Sequence, residues 1–495
     1  MLPAGRTASN LALWRLAIAG CLAAILGAKI LLIARLGNPT PYWDQWGAEA
    51  AGLYLPWLSG TLTPAHWFAF HNEHRVVLTR LSALALLWLD GTWDPIVQML
   101  FNAVVHVAGI GLLVALLGRL LDLTCFLLFA AFALLFWAVP FGWDNTLGGF
   151  QLQFYGLILL SVLSLHLICA AAWSVRWLLG TLLAVLAYFS MASGALILPA
   201  AIGLAAVQIA VGRRAGVREL AGVLLHAAIT LALLRDALSF SPHGTASIGA
   251  AIASFLISAS WPVAAASWPS ILKIIPAALI NAPLLIFGLR LLKQRPGLDD
   301  RRWFALALAV WLALQLIALS YGRPGGTPES RYNDIFIIGV VLNAAAWLYL
   351  LRTAPQRRLL LVASVWLFAV MLGAGQKATD NIIDGISARV RTGQTQTENV
   401  KNFISTGDFA HLAGKPHLHI PFPSAERLAE LLSDPKLRAI LPAALTGAPE
   451  GRAKTLILRH GPILLPLGLA LLMFAALACL HARRRTPSAD PPQPL

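Results

Sequence analysis

The sequence predicts an all-α polytopic membrane protein of about 12 transmembrane helices, and three observations carry that expectation. Of its 495 residues, 58% are hydrophobic and 12% are charged, against roughly a quarter charged in soluble domains. Apolar runs of about 18–22 residues recur along the chain, the length a helix needs to cross about 30 Å of hydrocarbon. The runs are continuous rather than alternating, and only helices or closed barrels satisfy their backbones in lipid. Helices are therefore the expected element.

The formal charge of +15 does not indicate nucleic acid. Arg213, Arg214, Arg218, Lys293, Arg295, Arg301, Arg302, Arg357, Arg358, Arg483, Arg484 and Arg485 cluster in short breaks between apolar runs, the positive-inside pattern of cytoplasmic loops. The cysteines Cys21, Cys125, Cys169 and Cys479 all fall in apolar runs without metal-ligand spacing and read as inert core residues. The first apolar run has no small-residue cleavage site, so it reads as a retained helix and signal anchor.

With Arg6 and Arg15 inside, a first span at 17–36 leads to a first outer loop, 37–95. Within that loop, 76–89 is apolar but short for a span, and it contains Arg80. Counted as a span it would turn Arg119 and Arg176 outward. Laid flat as a juxtamembrane helix, it leaves every strongly basic break inside. Spans at 96–117, 124–141, 154–173, 177–191, 196–211 and 220–239 follow, with an outer loop at 142–153. An outer segment, 241–270, holds a second interfacial run at 248–266, and spans at 274–292, 304–321, 335–351 and 359–374 enclose an outer loop at 322–334. Residues 376–458 turn polar and form a small C-terminal extracytoplasmic insert with a few helices, one suggested at 424–432. A last span at 463–480 returns a basic tail inside. The expected units are thus a bundle at 1–375, the insert at 376–458, and the final span with its cytoplasmic tail at 459–495.

Polar residues concentrate in four clusters at the outer loops. In Tyr42-Trp43-Asp44-Gln45-Trp46, Asp44 is a carboxylate between aromatics, suited to a general base with a raised pKa or to an interfacial aromatic belt. His71, Asn72, Glu73, His74 and Arg75 open the juxtamembrane helix. If helical, His71, His74 and Arg75 share a face, with Arg75 a forked donor for phosphate; a solvated helix start is the plain alternative. The H-x-x-H spacing leaves a divalent metal open without supporting one, and no cofactor is specified. In the third cluster, Trp143, Asp144 and Asn145 precede Gly148, Gly149, Gln151 and Gln153, glycines that permit close backbone approach or an ordinary tight loop. The fourth, residues 329–334, carries Arg331, fit to hold a lipid phosphate or simply to pair with Glu329 or Asp334 as a helix cap. Lys29, His106, His166 and His226 are isolated within spans, and almost no carboxylates accompany them, which counts against an ion-coupled transporter.

The arrangement resembles the GT-C superfamily of membrane glycosyltransferases that use polyprenyl-phosphate sugars. There, a first span is followed by an outer loop with an essential Asp, then a polar or His-containing motif introducing a juxtamembrane helix. Asp44 matches the loop carboxylate, 71–75 the motif, 76–89 the helix, and Asp144 an Asp that some members carry in the next outer loop. Gln45 stands where several members have a second acid, and no Pro-Pro pair follows His71.

The resemblance implies a bacterial inner-membrane enzyme, with both termini cytoplasmic and the active side extracytoplasmic. It would move a sugar from a polyprenyl-phosphate carrier to an envelope glycan, lipid or protein acceptor. Asp44 would be catalytic, His71, Asn72, Glu73, His74, Asp144 and Gln151 would bind substrate, and Arg75 and Arg331 would hold the lipid phosphate. Membrane lipid is the other implied partner. A transporter or flippase of lipid-linked glycans, or a non-catalytic envelope-assembly protein, are the competing readings.

Overall fold

The computed structural model describes residues 8–240, 247–265, 267–323, 329–354 and 356–485. Arg6, parts of the expected outer stretches (241–246 and 324–328) and the tail beyond 485 lie outside the described residues. Every regular element among the described residues is helical, the one β-bridge being His71 against His74. Among the described residues ten helices are long and apolar enough to cross a membrane, and the chain is a multi-pass membrane protein.

The bundle opens with α1 (Ala8–Leu36). Between it and the next long helix stands α2 (Val77–Asp90). The following helices are α3 (Pro95–Gly118), α4 (Leu123–Ala138), α5 (Leu152–Ile168), α6 (Val175–Tyr188), α7 (Ile197–Ala210) and α8 (Val217–Leu238). Then come α9 (Ile248–Ala259), α10 (Ser270–Gln294), α11 (Arg302–Gly322), α12 (Asn333–Thr353) and α13 (Arg357–Lys377). The C-terminal part contains α14 (Asp384–Thr406), α15 (Ala425–Ser433) and α16 (Leu464–Arg485). Side-chain caps start several of these, as when Asp94 accepts from the Ile96 N–H at 2.8 Å and Asp122 from the Cys125 N–H at 2.9 Å. The stretches expected to span at 124–141 and 177–191 form the shorter helices α4 and α6.

Helix α12 is the centre of the bundle, buried along most of its length. Helices α1 and α16 lie side by side because small residues face each other. A Cβ on Gly20 would stand 2.8 Å from the Gly468 carbonyl oxygen, so glycine there permits backbone approach.

Helix α2 is too short to cross a bilayer and is two-faced. Ala83 and Leu87 are buried under the rest of the first loop and the C-terminal unit, while Leu81, Trp88 and Leu89 are exposed. Arg80 is not solvated: its guanidinium donates to the carbonyls of Trp67 (3.1 Å) and Ala69 (2.7 Å), which folds the preceding segment onto the helix.

The C-terminal polar region packs directly on the first loop. Trp46, Tyr54 and Trp93 share an apolar cluster with Val400, Phe403, Leu428 and Leu432. The boundary expected at 376 is not a break. One helix runs from Arg357 through a π-helical stretch, Ala378–Ile383, to Thr406. Polar composition hides this continuation, but Ile382, Ile386, Val400 and Phe403 keep a helical apolar stripe buried. A buried ion pair, Lys454 Nζ to Asp94 Oδ2 at 2.7 Å, joins the segment before α16 to the start of α3.

Candidate functional site

At the bundle end that carries the first loop and the C-terminal unit, segments distant in sequence meet around a cavity of about 220 Å³. Asp44, Asp144, Gln151, Glu329, Arg331 and Arg389 all line it. Buried hydrogen bonds explain the convergence. Asn145 Nδ2 donates to the Arg331 carbonyl at 2.7 Å and to Asp334 Oδ2 at 2.8 Å, while Asn333 Nδ2 donates to the Phe141 carbonyl at 2.9 Å. These bonds fix the loop before α5 against the start of α12, so Asp144 and Arg331 face one space.

Asp44 is held by its neighbours. Trp43 adopts φ 53°, and its N–H donates to the Pro421 carbonyl at 2.7 Å, so the C-terminal unit sets the turn. The Trp46 indole N–H donates to the Pro41 carbonyl at 2.8 Å. Gln45 is buried and structural: Nε2 donates to Gln98 Oε1 at 2.6 Å, and Oε1 accepts from the Tyr42 N–H at 3.0 Å. Beneath it lies Glu49, a fully buried carboxylate that sequence reasoning missed. It accepts from Trp93 Nε1 at 2.7 Å and Gln98 Nε2 at 2.9 Å. Burial pushes its pKa up to about 7, with the hydrogen bonds from Gln98, Trp93 and Gln45 pulling the other way. Gly149 crosses this network so closely that a Cβ would meet Gln45 Nε2 and Gln98 Oε1 at 2.7 Å each.

His71 through Arg75 is not a helix start, which corrects the shared-face expectation. Asn72 takes φ 50°, a left-handed conformation Asn tolerates, and the backbones of His71 and His74 pair at 2.8 and 3.1 Å. The turn therefore points its residues different ways. His71 Nε2 lies 3.1 Å from Asp44 Oδ1 without hydrogen-bond alignment, its ring edge against Phe150. Glu73 and His74 instead line a second, mainly apolar groove of about 270 Å³ with Met191, Leu196, Leu234, Leu316 and Leu319. Arg323 closes the polar end of this groove, 3.5 Å from Glu73.

Arg75 belongs to neither space. Its guanidinium grips Asp236 of α8 through two bonds, 2.6 and 2.7 Å, and lies over the Phe70 ring at 3.9 Å. The Asp236 hydrogen bonds hold the Arg75 pKa above its usual value. Its forked geometry is spent on a carboxylate of the protein.

The cations facing the cavity are Arg331, paired with Glu329, and Arg389, which lies over the Tyr42 ring at 3.5 Å. Arg331 Nε and Arg389 Nη1 are buried without a hydrogen-bond partner among the described residues, as is Gln151 Oε1. Two guanidinium groups lining one polar cavity suit an anionic oxygen-rich group. The Asp44–His71 pair can take up a proton, since a carboxylate beside an imidazole is a general-base arrangement that is often loosely aligned before substrate binds.

Below the cavity, side chains expected to be isolated form one cluster. Lys29 Nζ donates to Thr146 Oγ1 at 3.0 Å, Thr146 meets the Tyr155 hydroxyl at 3.2 Å, and His106 stacks on Tyr155 at 4.0 Å. His106 Nε2 is 3.7 Å from Asp334 Oδ1.

No protein-family profile matches the chain, and no curated protein matches it.

Proposed function

We propose that this protein is a glycosyltransferase of about 12 spans in a bacterial inner membrane. On this reading it takes a sugar from a polyprenyl-phosphate carrier on the extracytoplasmic side. The carrying observation is the shared cavity: Asp44, Asp144, Arg331 and Arg389, from four distant segments, face one space, with His71 3.1 Å from Asp44. The apolar groove suits an isoprenoid tail, and the 71–75 turn links the two spaces: His74 lines the groove, while His71 stands 3.1 Å from Asp44 of the cavity.

On this reading the acceptor hydroxyl gives its proton to Asp44 as its oxygen attacks the anomeric carbon. The bond from that carbon to the phosphate oxygen breaks, and the phosphate departs against Arg331 and Arg389, where fixed cations stabilise growing negative charge. Asp144 and Gln151 hold sugar hydroxyls. On this reading α4 and α6 are spans, both termini are cytoplasmic and the cavity is outside, a reading supported by the basic breaks. The test is transfer from a tagged polyprenyl-phosphate sugar by purified protein. Asp44→Asn should lower turnover at least about a hundredfold, the scale of general-base catalysis, with folding intact; unchanged turnover would remove the proposed base.

The Lys29–His106–Asp334 cluster favours one alternative, because ionisable groups buried within a bundle commonly serve transport. Gradient-dependent accumulation of a lipid-linked glycan in sealed vesicles, abolished by Asp334→Asn, would establish that reading instead.

A further inference from the structure

A further cavity of mixed lining, about 270 Å³, lies on the other side of the segment containing Glu329. It approaches the roughly 300 Å³ at which small-molecule sites begin. The two spaces have party walls. Trp143 faces this cavity and Asp144 the first; Ser330 faces this one and Arg331 the first; Glu329 borders both. The two spaces thus adjoin at the Glu329–Arg331 pair.

The lining has two kinds of surface. One is aromatic and rigid: Trp261 is buried edge-on against Phe141 at 5.4 Å and is 6.3 Å from Phe336, with Trp143 alongside. The other is polar. Trp143 Nε1 and Ser330 Oγ are buried without hydrogen-bond partners among the described residues. Lys377 makes no ion pair among them, and Asn381 is exposed at the rim. Buried donors left unpaired cost stability unless a ligand meets them.

Broad aromatic faces beside unpaired donors match a pyranose, whose C–H face is apolar and whose rim is a ring of hydroxyls. An alkyl tail would leave the donors unmet. We infer that this cavity is a saccharide subsite, holding the sugar next to the reacting one in the acceptor, with Lys377 directed at a hydroxyl or acidic substituent. The choice of ligand rests on the sugar-transfer reading; the site itself does not require turnover.

Tryptophan fluorescence of the full chain in nanodiscs would be titrated with free cellobiose, maltose, mannobiose, chitobiose and digalacturonic acid. At least one should give a saturable change, with Kd raised about tenfold or more in Lys377→Gln and in Asn381→Ala, both partly exposed positions whose folding is checked by gel filtration. Arg75→Lys, which lines neither cavity, should bind as the wild type does. The subsite is overturned if none of these sugars binds the wild type, or if binding is unchanged in both variants. Saccharide binding as expected, together with no transfer by wild-type protein, would retain the subsite and reject the sugar-transfer chemistry.

Discussion

Replacing Glu49 by glutamine should change how stability depends on pH, and the size of the change follows from the buried network. Glu49 is wholly enclosed, and its carboxyl is raised from 4.5 to about 7. Between those pH values the unfolded chain has lost this proton while the folded protein keeps it. The folded state binds more protons, so stability falls as pH rises. The contribution is fully present below about 4.5 and lost through about 7. At about 1.36 kcal/mol per pH unit, this amounts to roughly 3 kcal/mol, an order of magnitude only. The amide in the Glu49→Gln variant has no proton to lose. It does give up one acceptor among the donors of Trp93, Gln98 and Gln45, a fixed penalty of about 1–3 kcal/mol that does not vary with pH. Melting or denaturant curves of wild type and Glu49→Gln, followed by tryptophan fluorescence in one detergent at closely spaced pH values, separate the two effects. Other titrating groups cancel in the difference. The variant should gain on the wild type steadily as pH rises from 4.5 to about 7. Parallel profiles would refute an elevated Glu49 carboxyl.

Gly149→Ala should destabilise the protein by about 1–3 kcal/mol, because its methyl would push into the Gln45–Gln98 bond; a wild-type melting temperature would show that the network yields freely. Arg75→Lys and Asp236→Asn should each cost about 1 kcal/mol through loss of the paired bonds, and the double variant should cost little more than either alone; strict additivity would detach the two residues. A cysteine introduced in place of Arg119 should be labelled by an impermeant reagent only in opened or inverted vesicles, and labelling in intact cells would reverse the orientation proposed for the whole bundle.

The long helices could be read from the sequence because their length and apolarity are set by the bilayer, locally and without reference to packing. The flat placement of α2 is an expectation from a count of charges; in the structure this short helix exposes Leu81, Trp88 and Leu89 and buries Ala83 and Leu87. Asp44, Asp144 and Arg331 were visible as polar residues abutting spans, and they do share a cavity. Arg389 was not visible, since it sits in a polar helix far along the chain; the stripe of Ile382, Ile386, Val400 and Phe403 was the available signal that the helix continues. Glu49 was overlooked as one acid among alanines, although a lone carboxylate in such a stretch is itself a sign of burial. The Arg75–Asp236 pair was not legible for a different reason: Asp236 lies 161 residues away, and no local pattern reports a long-range ion pair. The turn at 71–74 was announced by Asn72, whose tolerance of left-handed backbone argues against helix at that point.

The close seating of α1 against α16 bears on how the molecule is assembled. The glycine-lined side of α1 is synthesised long before its cover, for the helix that packs on it follows more than four hundred intervening residues. Until then that side must face lipid or a chaperone. Docking of α16 on α1 is therefore a late, long-range event, and a nascent chain stalled short of Leu464 would leave this seam of α1 without the helix that covers it.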